Sequence, residues 1–309
     1  MNKKIRVIFF GSSDFSVYSL IELHRDTSIE VDLVITKKDK RVGRGERVVE
    51  NMVSIKAKEL GIPVLKVSSL LRDPTQLNVV DWGNIDYGIV VSFGFIFPSD
   101  ILCQLSNRFI NLHPSLLPKY RGPSPIHNSI INGDVSIGNS VIIVTENVDS
   151  GPVLCQEEIG TSPNESFKVI YSKLALAGAK LLVRSVRDYH EGLLLPKEQN
   201  HSLATYTRML KKDDGFVTLQ EYPTEVYNKY RALEVWPGIY TTVAFLENFT
   251  HQKTKIKNKK TIVKLREVAL INSLKAISRE YELQIQKVQL PNKPVITWSD
   301  FVNGYVLKS

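Results

Sequence analysis

The chain has 309 residues, of which 43% are hydrophobic and 23% are charged. These fractions are close to the averages of folded proteins, so they exclude a disordered, collagen-like or fibrous chain, and the length favours two domains. No apolar run approaches the roughly 18 residues of a membrane-spanning helix, and the start lacks the apolar core and cleavage site of a signal peptide. We therefore expect a cytoplasmic protein that does not bind membranes.

The net charge of +8 is concentrated in the last third of the chain. Residues 206–309 contain 17 basic and 10 acidic side chains, whereas residues 1–205 are almost neutral. This asymmetry is typical of a domain that binds a polyanion, most often nucleic acid, although a solvated basic surface has the same composition. The two cysteines, Cys103 and Cys155, lack the spacing of a disulfide framework or a metal site, so we expect two buried thiols and no metal.

Strand-like and helix-like segments alternate through the first two-thirds of the chain. Strands are predicted at residues 5–11, 31–36, 62–67, 87–91, 109–112, 140–144 and 153–159. Helices are predicted up to residue 23, over 54–60 and over 165–189. Apolar strands separated by helices indicate βαβ units and a parallel sheet that is covered on both faces. In such sheets the ligand binds outside the carboxyl ends of the strands.

The pattern changes after a polar segment that we interpret as a linker at residues 193–205. Short strands are predicted at residues 216–219, 240–245, 261–265 and 282–290, around a helix at 224–235. Short strands with basic turns favour a small β-barrel of the OB type. We therefore expect an α/β domain over residues 1–192 and a barrel domain over residues 206–309.

Two turns at strand ends were considered as binding loops. The first βα turn retains only Gly11 of the three glycines in a dinucleotide fingerprint, which argues against a nicotinamide cofactor. Residues 37–47 carry six basic and two acidic side chains around two glycines. This composition indicates an exposed loop that is suited to phosphate backbones, although a solvated loop also fits it.

Residues 109–122 hold the strongest chemical signal. Asn111 and His113 are two positions apart on a predicted strand, so their side chains point to the same side at its carboxyl end. An amide donor beside an imidazole suits a developing oxyanion with proton transfer close by. Asp149 lies in a turn between two later strands, where its carboxylate could orient the imidazole of His113. A structural histidine and an ordinary Asp-Ser-Gly turn are the alternative interpretations.

The segment INLHPSLLPKYRGPSPI, followed by VDSG about thirty residues later, resembles the folate-dependent formyltransferases. The string N-x-H-x-S-L-L-P with a later D-[ST]-G is specific to that superfamily. Further segments at residues 9–20, 43–46, 91–98, 203–217, 230–241 and 293–305 are similar to its methionyl-tRNA-formylating branch. The chain departs from the family pattern at residues 144–148 and at residues 48–52, where a Pro-x-Pro is replaced.

The resemblance implies a Rossmann-like domain with a mostly parallel sheet and a C-terminal OB-like β-barrel. It implies transfer of a formyl group from 10-formyltetrahydrofolate to the α-amine of initiator methionyl-tRNA, by a monomer without a metal. The implied catalytic residues are Asn111, His113 and Asp149. The implied folate-binding residues are Ser92, Phe93, Gly94, Phe95, Ile96, Phe97, Pro98, Ser115, Leu116, Leu117, Pro118, Val144, Asn147 and Val148. The basic residues expected to bind tRNA are Arg41, Arg44, Arg47, Lys253, Lys255, Lys257, Lys259 and Lys260.

Three alternatives stay open from the sequence. The acceptor could be a small amine, such as an amino sugar nucleotide or a glycinamide ribotide, but a small acceptor needs no basic C-terminal domain. A non-catalytic RNA-binding protein is disfavoured because Asn111, His113 and Asp149 are all present. A formyl-folate hydrolase would use the same three residues but leaves the C-terminal domain unexplained.

Overall fold

The protein is described by a computed structural model that covers residues 3–42, 47–106, 108–218, 221–272 and 281–307. It forms two compact units. The first comprises Met1–Pro125, Ser136–Gly160 and Ile170–Arg208, and the second comprises Ile126–Val135, Thr161–Val169 and Met209–Ser309. Over the described ranges, no helix is both long enough and apolar enough to cross a membrane.

The first unit is built on a seven-stranded sheet with the order β5-β2-β1-β6-β7-β8-β9. Its strands and a separate two-stranded hairpin are β1 Ile5–Gly11, β2 Ile29–Lys37, β3 Lys40–Val42, β4 Arg47–Val49, β5 Val64–Val67, β6 Tyr87–Val91, β7 Phe109–His113, β8 Ser136–Ile143 and β9 Val153–Gly160. The helices in this part of the chain are α1 Asp14–Arg25, α2 Met52–Glu59, α3 Ser99–Gln104, α4 Pro125–Ile131 and α5 Phe167–His190.

The sheet is parallel from β5 to β7, and β8 and β9 are antiparallel. The register pairs Gly11 with Val91 and Val91 with Leu112, so β1, β6 and β7 end at the same edge. The mostly parallel α/β architecture predicted from the sequence is confirmed. The segments that follow these three strands therefore meet at one sheet edge, as expected for a ligand site.

Four phenylalanines pack beneath that edge. The ring of Phe10 lies 5.5 Å from that of Phe93, 5.1 Å from that of Phe97 and 5.9 Å from that of Phe109. Phe10, Phe93 and Phe109 are fully buried. These tilted and edge-to-face pairs join the end of β1 to the loop after β6, so the loop is supported from below by the core.

The second unit contains a four-stranded antiparallel sheet with the order β10-β11-β12-β13. Its elements are α6 Pro223–Ala232, β10 Ile239–Thr242, α7 Val243–Thr250, β11 Ile262–Asn272, β12 Tyr281–Gln289, β13 Val295–Thr297 and α8 Trp298–Tyr305. This antiparallel C-terminal part is consistent with the predicted fold class. The strand β11 extends seven residues beyond the predicted end at residue 265, whereas β12 agrees with the predicted strand to within one residue at each end.

Two local predictions in this region are wrong. The strand predicted at 240–245 ends at Thr242, whose hydroxyl accepts a hydrogen bond from the Phe245 N–H and caps α7. Phe216 makes a single bridge to Tyr240 rather than starting a strand, and residue 219 lies outside the described residues. Neither β13 nor α8 was predicted. The cysteines are also not buried as predicted, because Cys103 is exposed and Cys155 is partly exposed.

Candidate active site

His113 is the last residue of β7, and the strand carries it to the sheet edge where β1 and β6 also end. Its side chain is only 6% exposed. The Nε2 atom lies 2.9 Å from the carbonyl oxygen of Tyr120, and Nδ1 lies 3.5 Å from Oδ2 of Asp149. Both ring nitrogens therefore face oxygen atoms of the protein, and these two contacts fix the orientation of the ring.

Asp149 reaches this histidine from the turn between β8 and β9. Its Oδ2 accepts a hydrogen bond of 2.8 Å from the backbone N–H of Gly122. Asp149 and Tyr120, which supply the two atoms facing His113, have φ values of 52° and 61°. Left-handed conformations in residues other than glycine are uncommon and cluster at functional sites. The structure thus brings together two of the three predicted catalytic residues.

Asn111 lies two positions before His113 on the same side of β7 and is partly exposed. Its backbone pairs with Ile142 of β8, which fixes the strand on which both side chains stand. An amide N–H and an imidazole N–H on one side of a strand can both donate to a developing oxyanion, for which Nε2 of His113 would exchange its contact with the Tyr120 carbonyl. The arrangement suits acyl transfer, with Asp149 as the group that orients the imidazole.

A polar cluster behind Asp149 was missed by the sequence analysis. Gln199 donates from Nε2 to the carbonyl oxygens of Asp149 and Gly151, and its Oε1 accepts from the guanidinium of Arg121. Arg121 also donates to Nδ1 of His201. Residue 199 lies in the segment interpreted as a linker, and no motif marks it. Arg121 lies inside the quoted formyltransferase string, and this position is the only signal that could have pointed to the cluster.

The structure also brings together two parts of the predicted folate-binding set. The loop 92–98 follows β6, and the hydroxyl of Ser12 donates to the carbonyl oxygens of Ser92 and Phe93. The Nζ atom of Lys37 donates to the carbonyl oxygen of Gly94 and lies 4.4 Å from the centre of the Phe95 ring. A hydrogen bond of 2.6 Å from Ser99 to Glu146 connects this region to the loop 144–148.

The predicted folate residues 115–118 lie instead against β8 and β9. The hydroxyl of Ser140 donates to the carbonyl oxygen of Ser115 and accepts from the N–H of Leu117. Gln156 donates to the carbonyl oxygen of Leu117. Residues 115–118 are therefore held by the antiparallel part of the sheet. In the chain they lie between His113 and Tyr120.

A cavity of about 1050 Å³ opens beside the Asp149 turn. Its wall includes Asn147 and Val148 of the predicted folate set, together with Arg121, Gly122 and Tyr206. Because Gly122 also donates to the Asp149 carboxylate, the cavity adjoins the contact between Asp149 and His113. Its volume is large enough for a drug-sized organic ligand.

The basic loop predicted at residues 37–47 forms the stems of the hairpin β3–β4. Arg41 pairs with Val48 and Arg47 pairs with Val42, whereas Arg44 lies outside the described residues. The ammonium group of Lys66 binds Asp39 at 2.8 Å and Glu50 at 2.7 Å, one residue before and one residue after the hairpin. Hydrogen bonds from Lys58, Lys66 and Ser54 lower the pKa of Glu50 to about 2.

The five lysines of the second unit that were expected to bind tRNA form a lysine run at residues 253–260, which lies in a loop. Lys253, Lys255, Lys257 and Lys260 are exposed, and Lys255 donates to the carbonyl oxygen of Gly304. Lys259 differs because it forms an ion pair of 2.6 Å with Glu247, whose carboxylate is buried. This ion pair also helps lower the pKa of Glu247. The ion pair of Lys259 with Glu247 therefore holds the loop against α7.

No grouping of three or more histidine, cysteine, aspartate or glutamate side chains suited to a metal ion is found among the described residues.

Family models match both halves of the chain. Residues 3–186 match the model described as formyl transferase, and residues 209–306 match the model of the formyl transferase C-terminal domain. The chain is 32% identical over 306 residues to the methionyl-tRNA formyltransferase of Finegoldia magna, covering 97% of each chain. It is also 32% identical to the methionyl-tRNA formyltransferase of Syntrophus aciditrophicus, covering 99% of this chain and 98% of that one.

Solved structures of other formyltransferases share the fold. An N-formyltransferase from Helicobacter canadensis, in complex with folinic acid and dTDP-3-aminofucose, superposes with a TM-score of 0.62 at 18% identity over 93% of this chain and 95% of that chain. A phosphoribosylglycinamide formyltransferase from Anaplasma phagocytophilum gives a TM-score of 0.55 at 19% identity, over 67% of this chain and all of that one.

Proposed function

Because this chain belongs to the methionyl-tRNA formyltransferase family, we propose that it formylates the α-amine of initiator methionyl-tRNA through Asn111, His113 and Asp149. The observation that carries this proposal is the contact between His113 and Asp149 in a chain that matches both family domains. We assign catalysis to residues 1–192 and tRNA binding to residues 206–309. The segment 193–205 between them, interpreted from the sequence as a linker, belongs to the first compact unit.

The co-substrate 10-formyltetrahydrofolate supplies an activated formyl group, and the amine of the acceptor displaces tetrahydrofolate from it. Asn111 donates a hydrogen bond to the oxygen that becomes negative as the amine adds to the carbonyl carbon. The Nε2–H of His113 donates to the same oxygen after it exchanges its contact with the Tyr120 carbonyl for the substrate. The amine loses one proton and the folate nitrogen gains one when the carbon–nitrogen bond breaks. Asp149 keeps the imidazole oriented and stabilises its charged form.

The residues around the loop 92–98 fit a folate. Ser92 and Gly94 have φ values of 47° and 67°, so the backbone after β6 turns sharply at the sheet edge. Buried Phe93 and Phe97 give the loop an apolar base, which suits the flat ring of a heterocycle. We propose that this loop and residues 144–148 hold the co-substrate without a metal.

An acceptor comparison tests the function directly. Purified protein and 10-formyltetrahydrofolate are offered charged initiator tRNA, charged elongator tRNA, an amino sugar nucleotide and glycinamide ribotide in parallel. We expect formylation of the initiator methionyl-tRNA alone. Formylation confined to the small amines would instead support a small amine as the acceptor. The superposed N-formyltransferase in complex with dTDP-3-aminofucose has the same fold.

The exposed lysines of the second unit give a test of tRNA binding. Phosphate contacts release counterions, and each contact contributes about 0.7–0.9 to the slope of log affinity against log salt concentration. We expect Lys253→Gln, Lys255→Gln and Lys257→Gln, combined, to weaken tRNA binding and to flatten this slope, with the folate KM unchanged. Binding is measured by filter retention over a range of salt concentrations.

The matched control for that variant is Lys3→Gln, Lys4→Gln and Lys180→Gln combined. These substitutions remove the same charge from exposed positions of the first unit. The control should leave the salt slope as it is in the unmodified protein. If the triple variant at Lys253, Lys255 and Lys257 keeps the tRNA affinity and the salt slope of the unmodified protein, these lysines form a solvated surface and do not bind tRNA.

A further inference from the structure

We propose that Gln199 is a positioning residue that holds Asp149 against His113. The inference rests on the catalytic role proposed above for Asp149, and it adds a residue from outside the formyltransferase string. Gln199 is 7% exposed and lies behind the turn that carries Asp149. Its single amide group contacts the turn on one side and a buried guanidinium on the other.

The amide nitrogen of Gln199 donates hydrogen bonds to two backbone carbonyl groups of the turn. Its Nε2 atom lies 2.9 Å from the carbonyl oxygen of Asp149 and 2.7 Å from that of Gly151. A primary amide has two N–H groups, so each carbonyl receives one of them. The backbone is therefore held on both sides of Ser150. Together with the N–H of Gly122, which binds the carboxylate, these contacts fix both ends of Asp149.

Arg121 determines which way the amide of Gln199 faces. The Oε1 atom of Gln199 accepts from Nε of Arg121 at 3.2 Å and from Nη2 at 2.7 Å. A guanidinium group can only donate, so the amide oxygen must face Arg121 and the NH2 group must face the turn. Arg121 is itself 3% exposed, and its Nη2 atom also donates to His201. The amide is thus locked in the orientation that the turn requires.

The backbone of Asp149 needs such support because it is strained. A φ of 52° in a residue other than glycine is held only where the surroundings determine it. Without the two hydrogen bonds from Gln199, the turn can relax toward a negative φ. That relaxation would move the carboxylate away from Nδ1 of His113, which is already 3.5 Å distant.

Gln199→Met tests the proposal because methionine keeps the length of the side chain and removes all four hydrogen bonds. We expect kcat to fall roughly 10-fold, because a catalytic group that is displaced by a fraction of an ångström is less well aligned, with little change in either KM. The alkaline limb of the pH–rate profile should move to lower pH, since a released Asp149 stabilises the charged imidazole less well. Gln199→Glu keeps the contact with Arg121 but points a carboxylate oxygen at two carbonyls, so it should be at least as slow.

The chain offers a matched control in Gln76. Its Nε2 atom donates to the carbonyl oxygens of Ser69 and Asp73, and its Oε1 atom accepts from the N–H of Ser68. Gln76→Met therefore removes the same pattern of hydrogen bonds away from the Asp149 turn. We expect it to lower the melting temperature while leaving kcat and the pH–rate profile unchanged.

The decisive measurement is a double-mutant cycle with Asp149→Asn. If Gln199 acts through Asp149, the double variant should be no slower than Asp149→Asn alone. Independent, multiplying losses would overturn the positioning role, as would an unchanged kcat and pH profile in both Gln199 variants. An Asp149→Asn variant with full activity would overturn the proposed role of Asp149 itself, which separates the two failures. Because Gln199→Glu retains its pairing with Arg121, it completes the test if the methionine variant does not fold.

Discussion

His113→Ala is expected to lower kcat at least about 10²-fold, which is the loss found when one preorganised donor to an oxyanion is removed. The imidazole is buried between the Tyr120 carbonyl and the Asp149 carboxylate, so water cannot replace it in the same geometry. Asn111→Ala should cause a loss of the same order because its amide stands on the same side of β7. Single-turnover formylation of charged tRNA separates this loss from effects on product release.

The matched control is His24→Ala, which removes an exposed imidazole from the last turn of α1. It should retain full activity. Thermal unfolding of each variant shows whether the folded protein is being assayed. Turnover close to that of the unmodified chain in folded His113→Ala or Asn111→Ala would remove that residue from the mechanism.

Gly151→Ala is expected to lower both stability and turnover. A Cβ atom at this position would lie 1.9 Å from the carbonyl oxygen of Ile143, so the backbone must shift. Overpacking of this kind costs about 1–3 kcal/mol of folding free energy. Because Gln199 binds the Gly151 carbonyl and the Asp149 carbonyl together, the shift also displaces the carboxylate, and misplacement by about 1 Å can cost 10²-fold in rate.

Gly160→Ala is the control, because a Cβ atom there has nothing within 4 Å and the residue ends the strand β9. For both variants we would measure the free energy of unfolding by chemical denaturation and kcat by the formylation assay. Equal behaviour of the two alanine variants would show that the close approach at Gly151 is not needed for the Asp149 turn.

The sequence predicted the seven strands of the larger sheet because most are short apolar runs that end at a turn, although β8 begins four residues before its predicted start. It missed the hairpin β3–β4, whose first strand lies in the segment interpreted as a loop. The strand 109–113 delivered Asn111 and His113 to one sheet edge as expected, since alternation along a strand depends only on local geometry. The proximity of Asp149 to His113 was predicted only as a possibility. It depends on a turn after β8 and on the N–H of Gly122, which are far apart in the chain.

The parts that the sequence did not predict depend on contacts between distant residues. Gln199 is a single amide in a polar segment, and only folding places it beside Asp149 and Arg121. The lysine run alternates like a strand, but Lys259 pairs with Glu247 and the segment stays a loop. At Thr242 the chain changes from strand to helix because the hydroxyl of Thr242 caps α7. The hydrophobic pattern alone still predicts a strand at these residues.

The ion pairs at the foot of the hairpin β3–β4 make it tolerant of acid and salt. Glu50 has a pKa of about 2, below the ordinary 4.5, so its pairing with Lys66 contributes fully above pH 4.5 and is lost only as the pH falls through about 2. The side chains of Lys66 and Asp39 are 26% and 22% exposed, so salt screens their attraction less than it screens exposed charges. In a titration with salt, we therefore expect loss of tRNA affinity to report contacts with phosphates rather than opening of the hairpin at the ion pairs of Lys66.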